Sequence, residues 1–409
     1  MFKTVVIIND FAYINGGAGK VAFTSAKALS SMGIRTILFS AVAPVDKSLI
    51  EAGVEVICLG QHDILSSPSR LKAMVQGVWN KTAYNKFSEL LDTLDESSTI
   101  IHFHGWSKAL SASMWGALSK KNFEVVVTLH EYFLFCPNLG LYNYRTRKIC
   151  EIKPSTLKCY LCNCDARNYP QKLWRSLRQV IQWTQLHKNK KINVITIGKT
   201  NKKVSELALR PLVKKSYFLQ NPIDLAQDER VRVEENDLYV FMGRLSSEKG
   251  ADLFCEAVSS LGLKGCVVGE GHLKDELTKQ YPDIPFVGWK EGLEKMKILK
   301  KAKSFVFPSL WYEGAPLTII EMYSLGIPCI VPDRCAASEF IQDGENGFVF
   351  NIGDLDDLKN AIRRCESTDM IDLKQMSEKM YNGLDRDSFS LETHVKSLLN
   401  IYNEVLVSR

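Results

Sequence analysis

Two glutamates, Glu313 and Glu321, flank a short segment that is expected to begin a helix. A hydrophobic run, residues 304–308, precedes them, and Pro316 suits a first helical turn because its missing N–H costs nothing there. Glu313 should therefore lie on the loop before the helix and Glu321 inside it. A helical segment of about eight residues spans about 12 Å, which suits carboxylates that accept hydrogen bonds from the two ends of a nucleotide-sugar.

The helix N-terminus between the two carboxylates offers N–H groups and the positive end of the helix dipole, and both favour a phosphate. The residues expected to form this anion cradle are Gly314, Ala315, Pro316, Leu317 and Thr318. Two glutamates at this spacing also occur by chance on solvated surfaces. The assignment therefore depends on a second anion site elsewhere in the chain.

A second candidate anion site lies upstream, in residues 238–250. Its apolar run is typical of a buried parallel strand, and a loop with Gly243, Arg244 and Lys249 follows it. Ligands of open α/β sheets bind beyond the carboxyl ends of the strands, where this loop belongs. Arginine supplies a fixed fork of donors and lysine a mobile charge, which together suit a diphosphate. The alternative is two ordinary surface cations.

The pattern Gly-Arg-x4-Lys-Gly at residues 243–250, followed by Glu-Gly-x-Pro-x4-Glu at residues 313–321, resembles a family 4 retaining glycosyltransferase of the GT-B fold. Other segments that resemble this family are 14–19, 128–131, 221–224, 269–271, 287–289 and 343–349. The resemblance implies two Rossmann-like domains with doubly wound parallel sheets. It implies no particular donor or acceptor.

The resemblance also implies roles for single residues. Arg244 and Lys249 would stabilise the departing diphosphate, Glu313 would hold sugar hydroxyls, and Glu321 would hold ribose hydroxyls. His130 would approach the transferred sugar or the acceptor, although the residue after it, Glu131, departs from the usual aspartate and receives no role. The remaining residues expected at the nucleotide-sugar are Gly16, Gly17, Gly243, Gly271 and the anion cradle 314–318.

The glycine loop that contains Gly16 and Gly17 follows the first predicted strand. Glycines at such a position let the backbone approach a ligand closely, and a simple tight turn is the alternative. The P-loop pattern fails because Ile14 occupies a position that requires glycine. His102 and His104 flank another strand end, and we interpret them as structural histidines, with His104 able to face a cleft.

Short apolar runs alternate with longer helical stretches in both halves of the chain, which predicts parallel sheets. We predict an N-terminal Rossmann-like domain that binds the acceptor at residues 1–220, with a cysteine-rich insert at about residues 136–168. A C-terminal nucleotide-sugar-binding domain would follow at residues 221–388. Residues 389–409 contain apolar side chains in helical register, and the resemblance implies that this helix crosses back to the N-terminal domain.

Composition limits the class of protein. The 409 residues, 45% hydrophobic and 24% charged, are typical of a globular protein with two or three domains. The net charge of +6 permits contact with anionic lipids, and no basic face interleaved with aromatics indicates nucleic-acid binding. No apolar run is long enough to span a membrane, and residues 1–10 are typical of a strand rather than a signal peptide. We expect a cytoplasmic location, which includes the inner face of the membrane.

The cysteine-rich insert contains a set of thiols with zinc-ligand spacing. Cys159 and Cys162 would bind a structural zinc ion that Cys136 and Cys150 complete, and thiols without metal are the alternative. Downstream, Trp174, Leu177, Val180, Ile181 and Leu186 follow helical spacing beside Arg175, Arg178, Lys188, Lys190 and Lys191. Such a helix suits either an anionic membrane surface or an ordinary packed interior.

The expected reaction is transfer of a sugar from a UDP- or GDP-sugar to a glycan or glycolipid acceptor, with retention at the anomeric carbon and no catalytic metal. This transfer reaction would belong to polysaccharide or lipopolysaccharide biosynthesis. Two alternatives stay open, a non-catalytic nucleotide-sugar-binding protein of a polysaccharide pathway and a GT-B sugar-nucleotide epimerase. A cleft between the domains would close to exclude water.

Overall fold

The computed structural model describes residues 2–189, 191–225 and 228–408. The strands are β1 (Thr4–Ile8), β2 (Arg35–Val42), β3 (Glu55–Gln61), β4 (Thr99–Phe103), β5 (Glu124–Thr128), β6 (Tyr142–Asn143), β7 (Lys148–Ile149), β8 (Ile192–Thr196), β9 (Val213–Phe218), β10 (Leu238–Met242), β11 (Lys264–Val268), β12 (Ala302–Val306), β13 (Cys329–Pro332) and β14 (Gly347–Phe350).

The helices are α1 (Gly17–Ser31), α2 (Lys47–Glu51), α3 (Arg70–Val78), α4 (Lys81–Asp92), α5 (Ser113–Leu118), α6 (Leu157–Leu161), α7 (Tyr169–Leu186), α8 (Lys199–Leu209), α9 (Ala251–Ser260), α10 (Lys274–Gln280), α11 (Gly292–Leu299), α12 (Leu317–Ser324), α13 (Leu355–Ser367), α14 (Met370–Gly383) and α15 (Leu391–Val407). None of the helices in the described ranges is both long enough and apolar enough to cross a bilayer.

The chain divides into two compact units. The first unit comprises Met1–Gly140, Ile152–Pro222 and Ser388–Arg409, and the second comprises Leu141–Glu151 and Ile223–Asp387. Each unit has its own parallel sheet, so the α/β fold class with two Rossmann-like domains is confirmed.

The first unit is built on a seven-stranded parallel sheet with the order β3-β2-β1-β4-β5-β8-β9. Every residue of β1, β4, β5 and β8 is buried. Continuous burial is expected of parallel strands that helices cover on both faces. The sheet order reverses at β1, which is the topology of a doubly wound fold.

Helix α15 belongs to the first unit, which confirms that the last helix crosses back to the N-terminal domain. Its apolar face is buried with residues of α1 and β1 in one core, and that face consists of Val395, Leu398, Ile401, Tyr402 and Val405. The Tyr402 hydroxyl lies 2.6 Å from Nδ1 of His102, and Nε2 of His102 lies 2.8 Å from Oγ1 of Thr128. Both ring nitrogens of His102 thus have partners, as expected of a structural histidine.

The second unit is built on a five-stranded parallel sheet with the order β11-β10-β12-β13-β14. Its core contains Phe241, Phe254 and Phe305, each at most 3% exposed. The carboxyl ends of five parallel strands meet at one edge of this sheet, so the loops that follow them converge there.

The cysteine-rich insert differs from its prediction. Residues 141–151, which form the antiparallel hairpin β6–β7, group with the second unit, while the rest of residues 136–168 group with the first. The hairpin is held to the second unit by Arg147, whose Nη2 lies 2.6 Å from Oδ2 of Asp252. Charge pairing between segments distant in the chain carries no signal in local sequence.

The structure does not support the predicted zinc site. Within the described ranges, no group of three or more His, Cys, Asp or Glu side chains is arranged to hold a metal ion. Cys150 belongs to the second unit, whereas Cys136, Cys159 and Cys162 belong to the first. Cys159 lies in the short helix α6, and Cys162 is the C-cap of that helix. Thr156 caps the other end, where its hydroxyl accepts from the Cys159 N–H at 3.3 Å.

Helix α15 generates a stability prediction. Leu398 is 1% exposed and Leu391 is 41% exposed on the same helix. Leu398→Ala removes buried apolar volume and should lower the free energy of unfolding by about 2–5 kcal/mol, measured by urea denaturation. Leu391→Ala is the matched control and should cost less than about 1 kcal/mol. Equal losses in the two variants would show that α15 does not pack as described.

Candidate functional site

Three loops at the carboxyl edge of the second sheet are joined through their backbones. The N–H of Gly243 donates to the carbonyl of Val268 at 2.9 Å, and the N–H of Leu245 donates to the carbonyl of Glu270 at 2.9 Å. A Cβ at Gly271 would lie 2.2 Å from the Leu245 carbonyl oxygen, so only glycine permits this approach. The loops after β10 and β11 therefore support one another, and Gly243 and Gly271 lie within them.

The loop after β10 also contacts the loop after β12, and Gly250 makes this contact possible. Gly250 has a φ of 69°, and a Cβ there would lie 2.1 Å from the carbonyl oxygen of Pro308. The N–H of Leu310 donates to the carbonyl of Glu248 at 2.8 Å. Because these loops touch, Lys249 meets Glu313 although 64 positions separate the two residues.

Glu313 accepts three hydrogen bonds on one oxygen. Its Oε1 lies 2.5 Å from Nζ of Lys249, 2.6 Å from Nε1 of Trp311 and 2.8 Å from Oγ of Ser309. Nζ of Lys249 also lies 5.3 Å from the centre of the Trp311 ring, a cation–π contact. In the described part of the chain no donor contacts Oε2, so this oxygen can accept a hydrogen bond from a ligand.

Burial would raise the pKa of Glu313, yet its pKa is below the usual 4.5. The charge of Lys249 and the hydrogen bonds from Lys249, Trp311 and Ser309 outweigh the desolvation. Glu313 is therefore a carboxylate at neutral pH. It can accept hydrogen bonds from hydroxyl groups but cannot act as a general acid there.

Arg244 is placed differently from Lys249. Its side chain is 63% exposed, and its Nη2 lies 3.6 Å from Oε1 of Glu248. Glu248 is buried and held by the Ser246 hydroxyl, which donates to it at 2.7 Å. Glu248 thus anchors the base of the loop while the Arg244 guanidinium extends into solvent, where its remaining donors can reach an anion.

Helix α12 begins at Leu317, with Pro316 as its N-cap rather than in its first turn as predicted. The cap residue supplies no side-chain hydrogen bond, so first-turn N–H groups are not satisfied by a capping side chain. Glu321 lies inside α12, and its Oε1 forms an ion pair with Nζ of Lys295 on α11. Each side chain of this pair is 23% exposed. The sequence did not predict the contact between Lys295 and Glu321, because no spacing rule relates residues of α11 to residues of α12.

The first unit has a separate small cavity of about 100 Å³, lined in part by Asn15, Ala18, Gly19, His104 and His130. Nε2 of His130 lies 3.0 Å from Nδ1 of His104. Burial lowers the pKa of His130 to about 3, so both partners of this contact are neutral at physiological pH. His130 therefore lines a cavity, as its predicted role requires, and that role stays a prediction.

The glycine loop contributes to this cavity through residues adjacent to the predicted ones. Helix α1 begins at Gly17, and Gly16 has a φ of 97° that favours glycine. Asp10 lies beneath the loop, and its carboxylate accepts from the backbone N–H groups of residues 108–110 at 2.7–2.8 Å. Gly16 thus serves the turn into α1, while direct contact of Gly16 or Gly17 with a ligand stays a prediction.

Residues 223–383 match the family model described as "Glycosyl transferases group 1". Among curated proteins, the chain is 25% identical over 266 residues to the UDP-Gal:alpha-D-GlcNAc-diphosphoundecaprenol alpha-1,3-galactosyltransferase of Escherichia coli, covering 58% of this chain and 66% of that protein. It is also 29% identical over 153 residues to the sulfoquinovosyl transferase SQD2 of Arabidopsis thaliana, covering 35% of this chain and 30% of that protein.

Solved structures show the same fold along almost the whole chain. Sucrose-phosphate synthase from Thermosynechococcus elongatus aligns with a TM-score of 0.69 at 17% identity, over 100% of both chains. HepE from Anabaena, in complex with UDP and glucose, aligns with a TM-score of 0.65 at 14% identity, over 98% of this chain and 100% of that one. The GT-B fold is therefore confirmed, and the second unit contains a group 1 glycosyltransferase domain.

The pKa of Glu313 generates a pH prediction. Because the pKa of Glu313 is lowered in the folded protein, its carboxylate stabilises the fold at pH values above the usual carboxyl pKa. This stabilisation is lost as the pH falls through the folded-state pKa. Breaking a fully buried pair costs about 3–5 kcal/mol, and the partial exposure here reduces our expectation for Glu313→Gln to about 2 kcal/mol at neutral pH. Urea denaturation in acid should show a smaller difference from wild type.

Glu294→Gln is the matched control, since Glu294 forms a solvent-exposed pair with Lys297. The free energy of unfolding of Glu294→Gln should stay close to that of wild type both at neutral pH and in acid. A difference for Glu313→Gln that does not shrink in acid would contradict the ionised state assigned to Glu313.

Proposed function

We propose that this protein is a retaining glycosyltransferase that transfers a sugar from a nucleoside-diphosphate sugar to a glycan or lipid-linked saccharide acceptor. The observation that carries the proposal is the site in the group 1 glycosyltransferase domain, where Lys249 is paired with Glu313 next to the exposed Arg244. Two cations and a fixed carboxylate at the carboxyl edge of a parallel sheet suit a diphosphate and a sugar.

The difficult step is cleavage of the bond between the sugar and the diphosphate, which leaves negative charge on the departing phosphate. Arg244, Lys249 and the N–H groups at the start of α12 stabilise this charge. The leaving phosphate oxygen takes the proton of the acceptor hydroxyl while the new glycosidic bond forms on the same face, which gives retention. No side chain is needed as a nucleophile, and the two cations supply positive charge without a metal ion.

Glu313 and Glu321 position the two ends of the donor. The Oε1 atom of Glu313 is occupied by Lys249, Trp311 and Ser309, so Oε2 holds the sugar hydroxyls. The Oε1 atom of Glu321 is held by Lys295, which orients the carboxylate before it accepts the ribose hydroxyls. Each carboxylate is thus oriented in advance of donor binding, which lowers the entropy cost of binding.

We assign UDP rather than GDP as the donor nucleotide. Support comes from the similar galactosyltransferase of Escherichia coli, whose name specifies UDP-Gal, and from HepE, whose structure contains UDP. The name of the galactosyltransferase also specifies a diphosphoundecaprenol acceptor. We therefore assign a diphosphate-linked lipid acceptor of glycoconjugate biosynthesis to this protein as well.

A lipid-linked acceptor requires a protein that reaches the membrane, and the first unit presents an apolar surface that suits this requirement. The surface, here called the leucine face, lies on α3, α6 and α7. Helix α7 contacts both of the others: Trp174 Nε1 donates to the Met74 carbonyl of α3 at 3.1 Å, and the Ser176 hydroxyl donates to the Tyr160 carbonyl of α6 at 3.1 Å. The exposed apolar residues of the leucine face are Leu71, Met74, Val75, Leu157, Leu161, Leu173, Leu177 and Val180.

Helix α7 buries several polar side chains and exposes apolar ones, which is the reverse of the pattern in an ordinary packed helix. Its buried residues include Lys172, Arg178, Gln179 and Gln182, while Leu177 is 51% exposed. Arg178 Nε donates to the carbonyl of Gly77 at 2.7 Å, so polar contacts attach the helix to the unit. Within the apolar stripe of α7, Leu177 and Val180 are exposed whereas Leu186 is buried, and Lys190 lies outside the described residues. We propose that the leucine face contacts the inner face of the membrane.

Exposed cations accompany the leucine face. Arg70 and Lys72 lie on α3, and Lys153 and Lys158 lie on or near α6. An apolar face with lysine and arginine at its margin binds anionic lipid through both burial and charge. This proposal places the protein at the cytoplasmic surface of a membrane.

Arg244 gives the direct test of the transfer reaction. Arg244→Ala should reduce turnover of UDP-sugar by a factor on the order of 10²–10³, by analogy with the loss of one oxyanion donor. Arg232→Ala is the matched control, because the Arg232 side chain is 73% exposed and pairs with Glu235. Labelled UDP-sugars and GDP-sugars are incubated with and without lipid acceptor, and the products are separated.

The same assay distinguishes the alternatives. A sugar-nucleotide epimerase would convert the donor without an acceptor, and a binding protein would show no turnover with any donor. Turnover by Arg244→Ala within a few-fold of the Arg232→Ala control would refute the assignment of Arg244 to the leaving diphosphate.

The leucine face gives a second test. Leu157→Gln with Leu177→Gln should weaken binding to phosphatidylglycerol vesicles by roughly tenfold or more, since each buried leucine contributes about 1.5 kcal/mol or more. Leu207→Gln with Leu391→Gln is the control, because these leucines are exposed outside the leucine face. Vesicle co-sedimentation at low salt measures the effect. Equal binding by both double variants would contradict the membrane assignment.

A further inference from the structure

An open groove of about 540 Å³ lies in the second unit beneath the hairpin β6–β7. Its walls come from the hairpin, from α9 and from the loops that follow β12, β13 and β14. The residues that line it are Thr146, Arg147, Lys148, Ile149, Glu151, Leu253, Leu310, Arg334, Ile352 and Gly353. None of these residues was assigned a role from the sequence.

Three cations from two separate segments face the groove. Arg147 and Lys148 lie on the hairpin, and Arg334 lies in the loop after β13. The side chains of Arg147 and Arg334 are each 45% exposed, so both guanidinium groups stay accessible to a ligand. Glu151 is the one carboxylate among the lining residues, and Asp252 pairs with Arg147 as well, so three cations less two carboxylates leave a net charge of +1 at the groove.

The contacts that hold the two arginines leave most of their donors available. Nη2 of Arg147 lies 2.6 Å from Oδ2 of Asp252. Nη2 of Arg334 lies 3.2 Å from Oε1 of Glu151 and 3.4 Å from the Tyr312 hydroxyl, which are long contacts. An arginine has five N–H donors, so one occupied nitrogen on each still permits paired hydrogen bonds to a phosphate.

The hairpin holds its cations in a defined place. Asn143 Oδ1 accepts from the N–H groups of Arg145 and Thr146 at 3.0 and 3.3 Å, which fixes the turn between β6 and β7. The N–H of Cys150 donates to the carbonyl of Leu141 at 2.7 Å at the open end of the hairpin. The apolar residues Leu253, Leu310 and Ile352 form the walls beside these cations.

The groove shares a wall with the candidate donor site. Leu310 lines the groove, and Leu310 and Glu313 belong to the same loop after β12. Tyr312, one residue before Glu313, contacts Arg334. A ligand in the groove therefore lies along the loop that presents Glu313 to the sugar, at the same carboxyl edge of the sheet.

We propose that this groove binds the diphosphate of the lipid-linked acceptor, an inference that rests on the function proposed above. Lys148 and the donors left on the two arginines offer more hydrogen bonds than a single carboxylate can accept, and a diphosphate can use them. The groove is open, so the lipid and the sugar can extend from it in different directions. Binding of the diphosphate beside the Glu313 loop brings the acceptor sugar close to the donor sugar.

The experiment measures binding of inorganic pyrophosphate to the full chain by calorimetry, with the donor site first saturated by UDP. Wild type should bind pyrophosphate under these conditions. Lys148→Gln with Arg334→Gln should weaken this binding by about tenfold or more, since a hydrogen bond to a charged group is typically worth such a factor. Arg334 pairs with an exposed glutamate, so this variant should fold.

Arg145→Gln with Lys279→Gln is the matched control, because it removes the same charge from exposed residues of the second unit that do not line the groove. Its affinity for pyrophosphate should stay within about twofold of wild type, as expected for surface substitutions away from a site. In transfer assays, the groove variant should raise KM for a diphosphate-linked acceptor and leave kcat with a phosphate-free glycoside acceptor unchanged.

Three results would overturn the inference: no pyrophosphate binding once UDP is saturating, equal affinities in the groove variant and its control, or tighter binding of galacturonate than of pyrophosphate. The last result would assign the groove to a carboxylate. UDP affinity, measured on the same proteins, reports the donor site alone. If the wild-type protein does not bind UDP, the proposed function is contradicted. The three results above contradict only the groove assignment.

Discussion

The ion pair between Lys249 and Glu313 is the interaction on which the candidate site depends. It joins the loop after β10 to the loop after β12, and both side chains are mostly buried, at 20% and 12% exposure. Two charges removed from water are stable only when their geometry and additional hydrogen bonds compensate for desolvation. Here Trp311 and Ser309 provide those hydrogen bonds. The pair therefore fixes a cation and a carboxylate in place before any ligand binds.

The loops around this pair explain why one edge of the second sheet can serve several ligand groups. Gly250 and Gly271 allow backbones to approach at distances that a Cβ would forbid, so the loops pack into a continuous surface. The exposed Arg244 and the start of α12 extend this surface in one direction. The groove with Arg147 and Arg334 extends it in another. By our proposals, a single arrangement of loops thus offers fixed charge both to a donor and to an acceptor.

The sequence predicted the fold because the fold depends on local patterns, whereas the roles assigned to the site residues stay predictions. Alternating apolar runs predicted the two parallel sheets, and Lys249 and Glu313 were predicted from short motifs, with their contact now seen in the structure. Three features were missed because they depend on partners distant in sequence. Lys295 meets Glu321 from another helix, residues 141–151 join the second unit, and α7 buries polar residues while exposing leucines.

A crystal structure of the protein with bound UDP tests the central claim most directly. The account predicts diphosphate oxygens within about 2.7–3.2 Å of Arg244 and of N–H groups at the start of α12. It also predicts that the Lys249–Glu313 pair is retained and that Glu321 accepts hydrogen bonds from the ribose. A UDP molecule bound in the cavity beside His130, or a diphosphate with no contact to the loops after β10 and β12, would contradict it.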